Sequence, residues 1–76
     1  MKYAWTLQRK GLATELGIGT VDEIEKRLDG LMLDGSMPLR WILDDMVYEA
    51  EDDGKADHYH DLPPPKGWHL SWSRVD

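Results

Sequence analysis

The run Asp57-His58-Tyr59-His60-Asp61 gathers two imidazoles and two carboxylates within five residues. In an extended chain His58 and His60 point the same way and could share a cation, because imidazole nitrogen and carboxylate oxygen are ordinary ligands for zinc and similar ions. No third ligand follows at a recognisable spacing. The expectation is therefore no metal and no cofactor, with the run forming a surface loop that responds mildly to pH. Catalytic signals are equally thin. The chain has no cysteine, hence no thiolate nucleophile, and it lacks both Gly-x-Ser-x-Gly and the phosphate-cradling Gly-x-x-x-x-Gly-Lys-[Ser/Thr]. Gly17-Ile18-Gly19 precedes a helix start at Thr20, yet one Gly-x-Gly outside a βαβ unit is not a dinucleotide fingerprint. The expectation is a protein that is not an enzyme and has no catalytic residue.

Charge is more informative. The net charge is −6 over 76 residues. Residues 44 to 61 hold Asp44, Asp45, Glu49, Glu51, Asp52, Asp53, Asp57 and Asp61 against Lys55, eight acids and one base, or −7. The rest holds seven acids and eight bases, or +1, so the whole excess belongs to one segment. A duplex-binding domain normally presents a basic stripe that displaces phosphate counterions, so direct nucleic-acid binding is disfavoured and a basic protein surface is the favoured partner. Within this segment Trp41, Asp44, Asp45, Tyr48 and Asp52 fall on one side of a predicted helix, opposite its apolar stripe. Aromatics supply contact area and acids supply orientation, so Trp41, Asp44, Asp45, Tyr48, Glu49, Asp52 and Asp53 are the candidate partner-binding residues. Glu49, Glu51, Asp52 and Asp53 crowd the helix C-terminus, where the macrodipole disfavours negative charge, and Arg40 stands at the opposite, equally unfavourable end. Local rule-breaking of this kind concentrates at functional surfaces. The competing expectation is that Trp41 and Tyr48 are covered by a terminal segment, or by a second copy in a homodimer.

Several elements must position these residues. A chain of this length forms one domain and has little core to spare. With no Phe and no Cys, Trp5, Trp41, Trp68 and Trp72 are the large pieces available for a core. Thr20-Val21-Asp22-Glu23 is a capping box, and Val21, Ile24, Leu28, Leu31 and Met32 follow at helical spacing, so the sequence predicts a helix over 20–34. Asp22–Lys26 and Glu23–Arg27 are i,i+4 pairs in the favourable order. A second helix starts after Ser36 with Pro38 in its first turn, shows Leu39, Ile42, Leu43, Met46, Val47 and Ala50 on one stripe, and ends near Asp52 to Gly54. Tyr3, Trp5 and Leu7 alternate as in a strand, and so do Trp68, Leu70 and Trp72; the two terminal segments are expected to pair. Between them, residues 11–19 are expected to hold a helical turn from Leu12 to Leu16, with Leu12, Leu16 and Ile18 as core pegs. Residues 54–67, including Pro63–Pro65, are expected to form a loop. The predicted fold is α+β: two amphipathic helices packed on a small antiparallel sheet made from the terminal segments, within a single domain. No apolar run approaches the roughly 18 residues that cross a bilayer, and Met-Lys-Tyr-Ala-Trp lacks the apolar core of a secretory signal. Absence of cysteine fits a reducing compartment, and the expected location is the cytoplasm.

Two resemblances bear on this reading. Leu7-Gln8-Arg9-Lys10-Gly11-Leu12, Glu25-Lys26-Arg27-Leu28 and the stretch Asp34-Gly35-Ser36-Met37-Pro38-Leu39-Arg40-Trp41-Ile42-Leu43-Asp44-Asp45 resemble a segment of winged-helix domains in phage and bacterial DNA-transaction proteins. That resemblance implies a winged-helix-like fold and a DNA-binding regulator using Lys2, Arg9, Lys10, Lys26, Arg27 and Arg40, although Asp44-Asp45 stands where those domains carry Arg. In size, acidity and want of catalytic motifs, the chain is also similar to small phage-encoded inhibitors such as anti-CRISPR proteins. This second similarity implies a DNA-mimicking inhibitor acting in a host cytoplasm on a nucleic-acid-binding complex. It ranks first because it accounts for the segregated charge.

Overall fold

The computed structural model describes residues 1–9, 11–31, 33, 37–60 and 67–75. Six elements follow in chain order: β1 (Tyr3–Arg9), β2 (Glu15–Gly19), α1 (Val21–Asp29), α2 (Leu39–Asp53), β3 (Lys55–His60) and β4 (Trp68–Arg74). The strands form one sheet in the order β2-β1-β4-β3, antiparallel throughout. The terminal segments pair as their alternation requires, with Trp5 opposite Trp72 and Leu7 opposite Leu70. Tyr3, Trp5, Leu7, Trp68, Leu70 and Trp72 all face the helices and are buried. Tyr3 stacks on Trp72 with ring centroids 4.6 Å apart. The Trp72 indole Nε1 donates to the Met46 carbonyl at 3.3 Å, so its one polar group is satisfied where sheet meets helix. Ile24 and Leu28 of α1 and Ile42, Leu43, Met46 and Ala50 of α2 complete this core.

Helix α1 begins as its sequence dictates. The Glu23 N–H donates to Thr20 Oγ1 at 3.3 Å, and the Thr20 N–H donates to Glu23 Oε1 at 3.0 Å. The Thr20 backbone N–H, and then the Thr20 hydroxyl, hold the Glu23 carboxyl below its ordinary range. The helix stops at Asp29, short of the expected 34, because the chain tightens at Gly30, where the Leu31 N–H turns back to the Leu28 carbonyl at 3.0 Å. Leu31 and Leu33 still pack on the core from outside the helix; Met32 and Asp34 lie outside the described residues. Helix α2 opens on Pro38, whose carbonyl accepts the Trp41 and Ile42 N–H groups at 3.0 and 3.4 Å. It closes on Gly54 at φ +76°, a left-handed conformation in which glycine avoids the Cβ clash.

Two further expectations fail. Residues 15–19 form a strand, not the continuation of a helical turn, and Leu12, Leu16 and Ile18 are 61%, 73% and 68% exposed rather than core pegs. The register explains this. Leu16 lies opposite Thr6 and Ile18 opposite Ala4, on the sheet face turned away from the helices. The core-facing positions of β2 are Glu15, Gly17 and Gly19; at Gly17 a Cβ would come within 3.0 Å of the Trp5 indole nitrogen, so the large Trp occupies the place of the missing side chain. Second, residues 55–60 are a strand and not part of a loop. Gly54 reverses the chain, the Lys55 N–H donates to Asp53 Oδ1 at 2.9 Å, and Arg74 N–H donates to the Gly54 carbonyl at 2.6 Å, which launches β3 alongside β4. Pro63–Pro65 lie outside the described residues. Among the described residues no helix is long and apolar enough to cross a membrane.

Candidate functional site

Helix α2 presents two sharply different sides. Ile42, Leu43, Met46 and Ala50 are buried, with Leu39 and Val47 at their margin. Trp41 and Tyr48, on the other side, are 64% and 77% exposed. The expectation that a terminal segment covers them fails, because β1 and β4 turn their own aromatics toward the inner stripe and leave the outer one in solvent. Asp44, Asp45, Glu49, Asp52 and Asp53 are all exposed as well. The seven candidate residues thus lie on one element, with the two large rings a heptad apart among the carboxylates.

Their engagement differs. Arg40 Nε binds Asp44 Oδ1 at 3.1 Å, while its Nη1 reaches Asp22 at 2.9 Å and Glu25 at 3.5 Å. The hydrogen bond to Asp22, followed by the charges of Asp44 and Glu25, pushes the Arg40 guanidinium above its already high ordinary value. One cation is shared among three carboxylates, so this end of the face stays net acidic while α1 and α2 are tied together. Asp53 is occupied by the turn into β3, and it contributes charge more than free hydrogen-bonding capacity. Asp45, Tyr48, Glu49 and Asp52 complete the outward surface.

His58 and His60 project from β3 toward the helix side, the direction shared by buried Ala56. Both rings lie tilted against Trp68, with centroids 5.2 and 5.7 Å from it. Burial, and then the neighbouring His60, lowers the His58 pKa; the charges of Glu49 and Asp45 act in the opposite direction. Among the described residues no group of three or more His, Asp or Glu side chains is placed to hold a metal ion, and Asp61 lies outside them.

Sequence reasoning missed a cluster on the opposite sheet face. His69 Nε2 lies 2.8 Å from Asp57 Oδ1 and His69 Nδ1 lies 3.1 Å from Gln8 Oε1. Tyr59 stacks on the His69 ring, centroids 4.1 Å apart and nearly parallel. Three strands are pinned together by one imidazole, both of whose nitrogens are engaged. The alternation of β4 places His69 on this face, but its partners come from a strand that had read as loop and from the far end of the chain.

Comparison with known protein families, with curated proteins and with solved structures found no match.

Proposed function

We propose that this chain is a non-catalytic binding protein, a small acidic inhibitor of the phage anti-defence type, which docks the outer face of α2 on a basic surface of a protein partner. The observation that carries the reading is the exposure of Trp41 and Tyr48 on a helix whose inner stripe is already complete. Large exposed aromatics cost solubility unless a contact uses them, and here they are framed by Asp44, Asp45, Glu49 and Asp52, which steer a cationic partner toward them. The carboxylates stand in for phosphates, so the fitting partner is a surface that otherwise receives nucleic acid.

The DNA-binding alternative draws less support. Arg9 and Arg27 both bind Glu15, at 3.7 and 2.7 Å, and Arg40 is held by three carboxylates. Three of its six basic groups are thereby engaged by carboxylates of the chain itself.

The test is affinity capture from a bacterial lysate by the chain and by Asp44→Lys with Asp45→Lys. A partner retained at ~100 mM salt, lost at high salt and lost to the double variant supports the reading. Capture indifferent to both sinks it. Tight, steeply salt-dependent retardation of duplex DNA would instead favour the winged-helix regulator.

A further inference from the structure

The two edges of the sheet are protected very differently. At one, β3 carries Lys55, Asp57 and the histidines and packs beneath α2. At the other, β2 reads Glu15-Leu16-Gly17-Ile18-Gly19, with no proline and a single charge that Arg9 and Arg27 neutralise. Natural sheets blunt such edges with charge, proline or a covering element, because an open row of N–H and C=O groups is a template for another strand. Here, among the described residues, no strand lies beyond β2. Its two aliphatic side chains stand in solvent beside a shallow hollow of about 400 Å³ floored by Ala4, Thr6, Ser71 and Ser73, whose small side chains leave them uncovered.

We infer that β2 is the interface between two copies of this chain, paired antiparallel with the β2 of a second copy about a two-fold axis through Gly17. This register sets Leu16 opposite Ile18 of the other copy, twice, so that four aliphatic side chains close over one another on the open face. Directly opposed residues in an antiparallel pair bring their Cβ atoms to about 4.5–5.5 Å.

Charge selects a second copy as the occupant. Helix α1 runs back along β2: Thr20 follows Gly19, and Arg27 reaches Glu15 at 2.7 Å. A two-fold axis through Gly17 therefore lays the two α1 helices antiparallel across the junction. The acidic first turn of each, Asp22 and Glu23, then meets the basic last turn of the other, Lys26 and Arg27. The excess acid sits on α2, which packs on β3 at the far edge. With strands about 4.8 Å apart, the two β3 strands of an eight-stranded sheet are roughly 34 Å apart, well beyond the ~8–10 Å screening length at ordinary salt. This pairing keeps the acid of the two α2 helices apart, whereas pairing through α2 would bring it together.

Sedimentation velocity or light scattering up to ~0.5 mM, the range that detects weak self-association, should show a concentration-dependent dimer. Leu16→Lys with Ile18→Lys should weaken it at least about a hundredfold, since each change counts twice under two-fold symmetry, while the far-UV spectrum is retained because both side chains are exposed. Lys26→Glu should weaken it about tenfold through the reversed cross-axis pairs. Because the native chain has no cysteine, a mixture of Leu16→Cys and Ile18→Cys chains reads the register directly: heterotypic disulfides should exceed homotypic ones, as only the directly opposed pair matches disulfide geometry. A monomer throughout the range, a dimer that survives the double lysine variant, a homotypic excess, or a dimer lost instead on Trp41→Ala with Tyr48→Ala would each overturn the assignment.

Discussion

Helices α1 and α2 face the same sheet, and on their inner sides they do the same work; on their outer sides they follow opposite rules. α1 has a complete capping box, acids in its first turn and bases in its last, each arranged to suit the backbone and its dipole. α2 has no side-chain cap, no acid in its first turn and no base in its last. It exposes two large aromatics and finishes in a run of carboxylates. The difference teaches where this sequence serves the fold and where it tolerates cost. α1 suits the backbone through its capping box and turn charges, Asp29 at its last position excepted, while α2 serves the fold through the stripe that touches the sheet and its Gly54 cap.

The largest test concerns what the helices share. Leu28 of α1 and Leu43 of α2 are both fully buried. Leu28→Ala and Leu43→Ala should each cost about 2–5 kcal/mol by removing buried apolar contact and leaving a cavity, a large fraction of what so small a domain has to lose. Equal shifts in urea midpoint, at unchanged slope, are expected. A severe loss at one and tolerance at the other would show that one helix is an appendage, and the comparison would break.

Next in size is the N-terminus of α1. Thr20→Ala removes the acceptor for the Glu23 N–H and opens the capping box, for an expected cost of about 1 kcal/mol. In a domain of this size that lowers Tm by roughly 4–8 °C. The partner-capture activity should be unchanged, because Thr20 lies outside the proposed face. Trp41→Ala with Tyr48→Ala should behave in reverse, holding Tm within a degree or two while capture is lost, since exposed side chains contribute little to stability.

A smaller and sharper effect is expected at the C-terminus of α2. Asp52→Lys replaces an anion with a cation beside the carbonyl end of the helix and should raise stability by a few tenths of a kcal/mol. If the acid is retained for binding, the same change must weaken capture of a basic partner. A variant that gains stability and keeps full capture would mean that the carboxylate run serves solubility alone.

This contrast between the helices also governs what could be read in advance. The capping box and the stripe from Ile24 to Leu28 made α1 legible, and the alternation Tyr3, Trp5, Leu7 against Trp68, Leu70, Trp72 made the central strand pair legible. β2 and β3 were opaque for one reason each. In β2 the apolar residues Leu16 and Ile18 point outward and the inward positions are glycines that yield to Trp5, so its pattern is inverted with respect to an ordinary half-buried strand. In β3 the inward positions after Ala56 are His58 and His60, which pack on Trp68 as flat rings do and give no hydrophobic signal. The candidate face was legible as a pattern on a helix, but its exposure was not. That depended on whether the terminal strands already possessed enough aromatic bulk to fill the inner side, and Tyr3, Trp5, Trp68 and Trp72 supply it. The His69 cluster was beyond reach, because Gln8 and Asp57 stand 61 and 12 residues away from it in sequence.

The smallest effect expected lies where the two sides of α2 meet β3. Burial and the neighbouring His60 lower the His58 pKa below its ordinary 6.5. The unfolded chain, with His58 at the ordinary value, therefore binds more protons near neutrality than the folded chain does. Stability from this group is complete above that value, is lost as pH falls through it, and stops falling once pH is below the folded value. The carboxylates of α2 act against the shift, Glu49 before Asp45. Glu49→Gln should therefore lower the folded pKa further and enlarge the loss between pH 7.5 and 5.5, while His58→Gln should remove this contribution. The measurement is the difference in Tm across that interval for the three proteins, with an expected contribution on the order of one or two degrees for the native chain. A Tm profile identical in the native chain and in His58→Gln would show that the imidazole remains solvated. The acidic side of α2 would then be electrically separate from the sheet edge it overhangs.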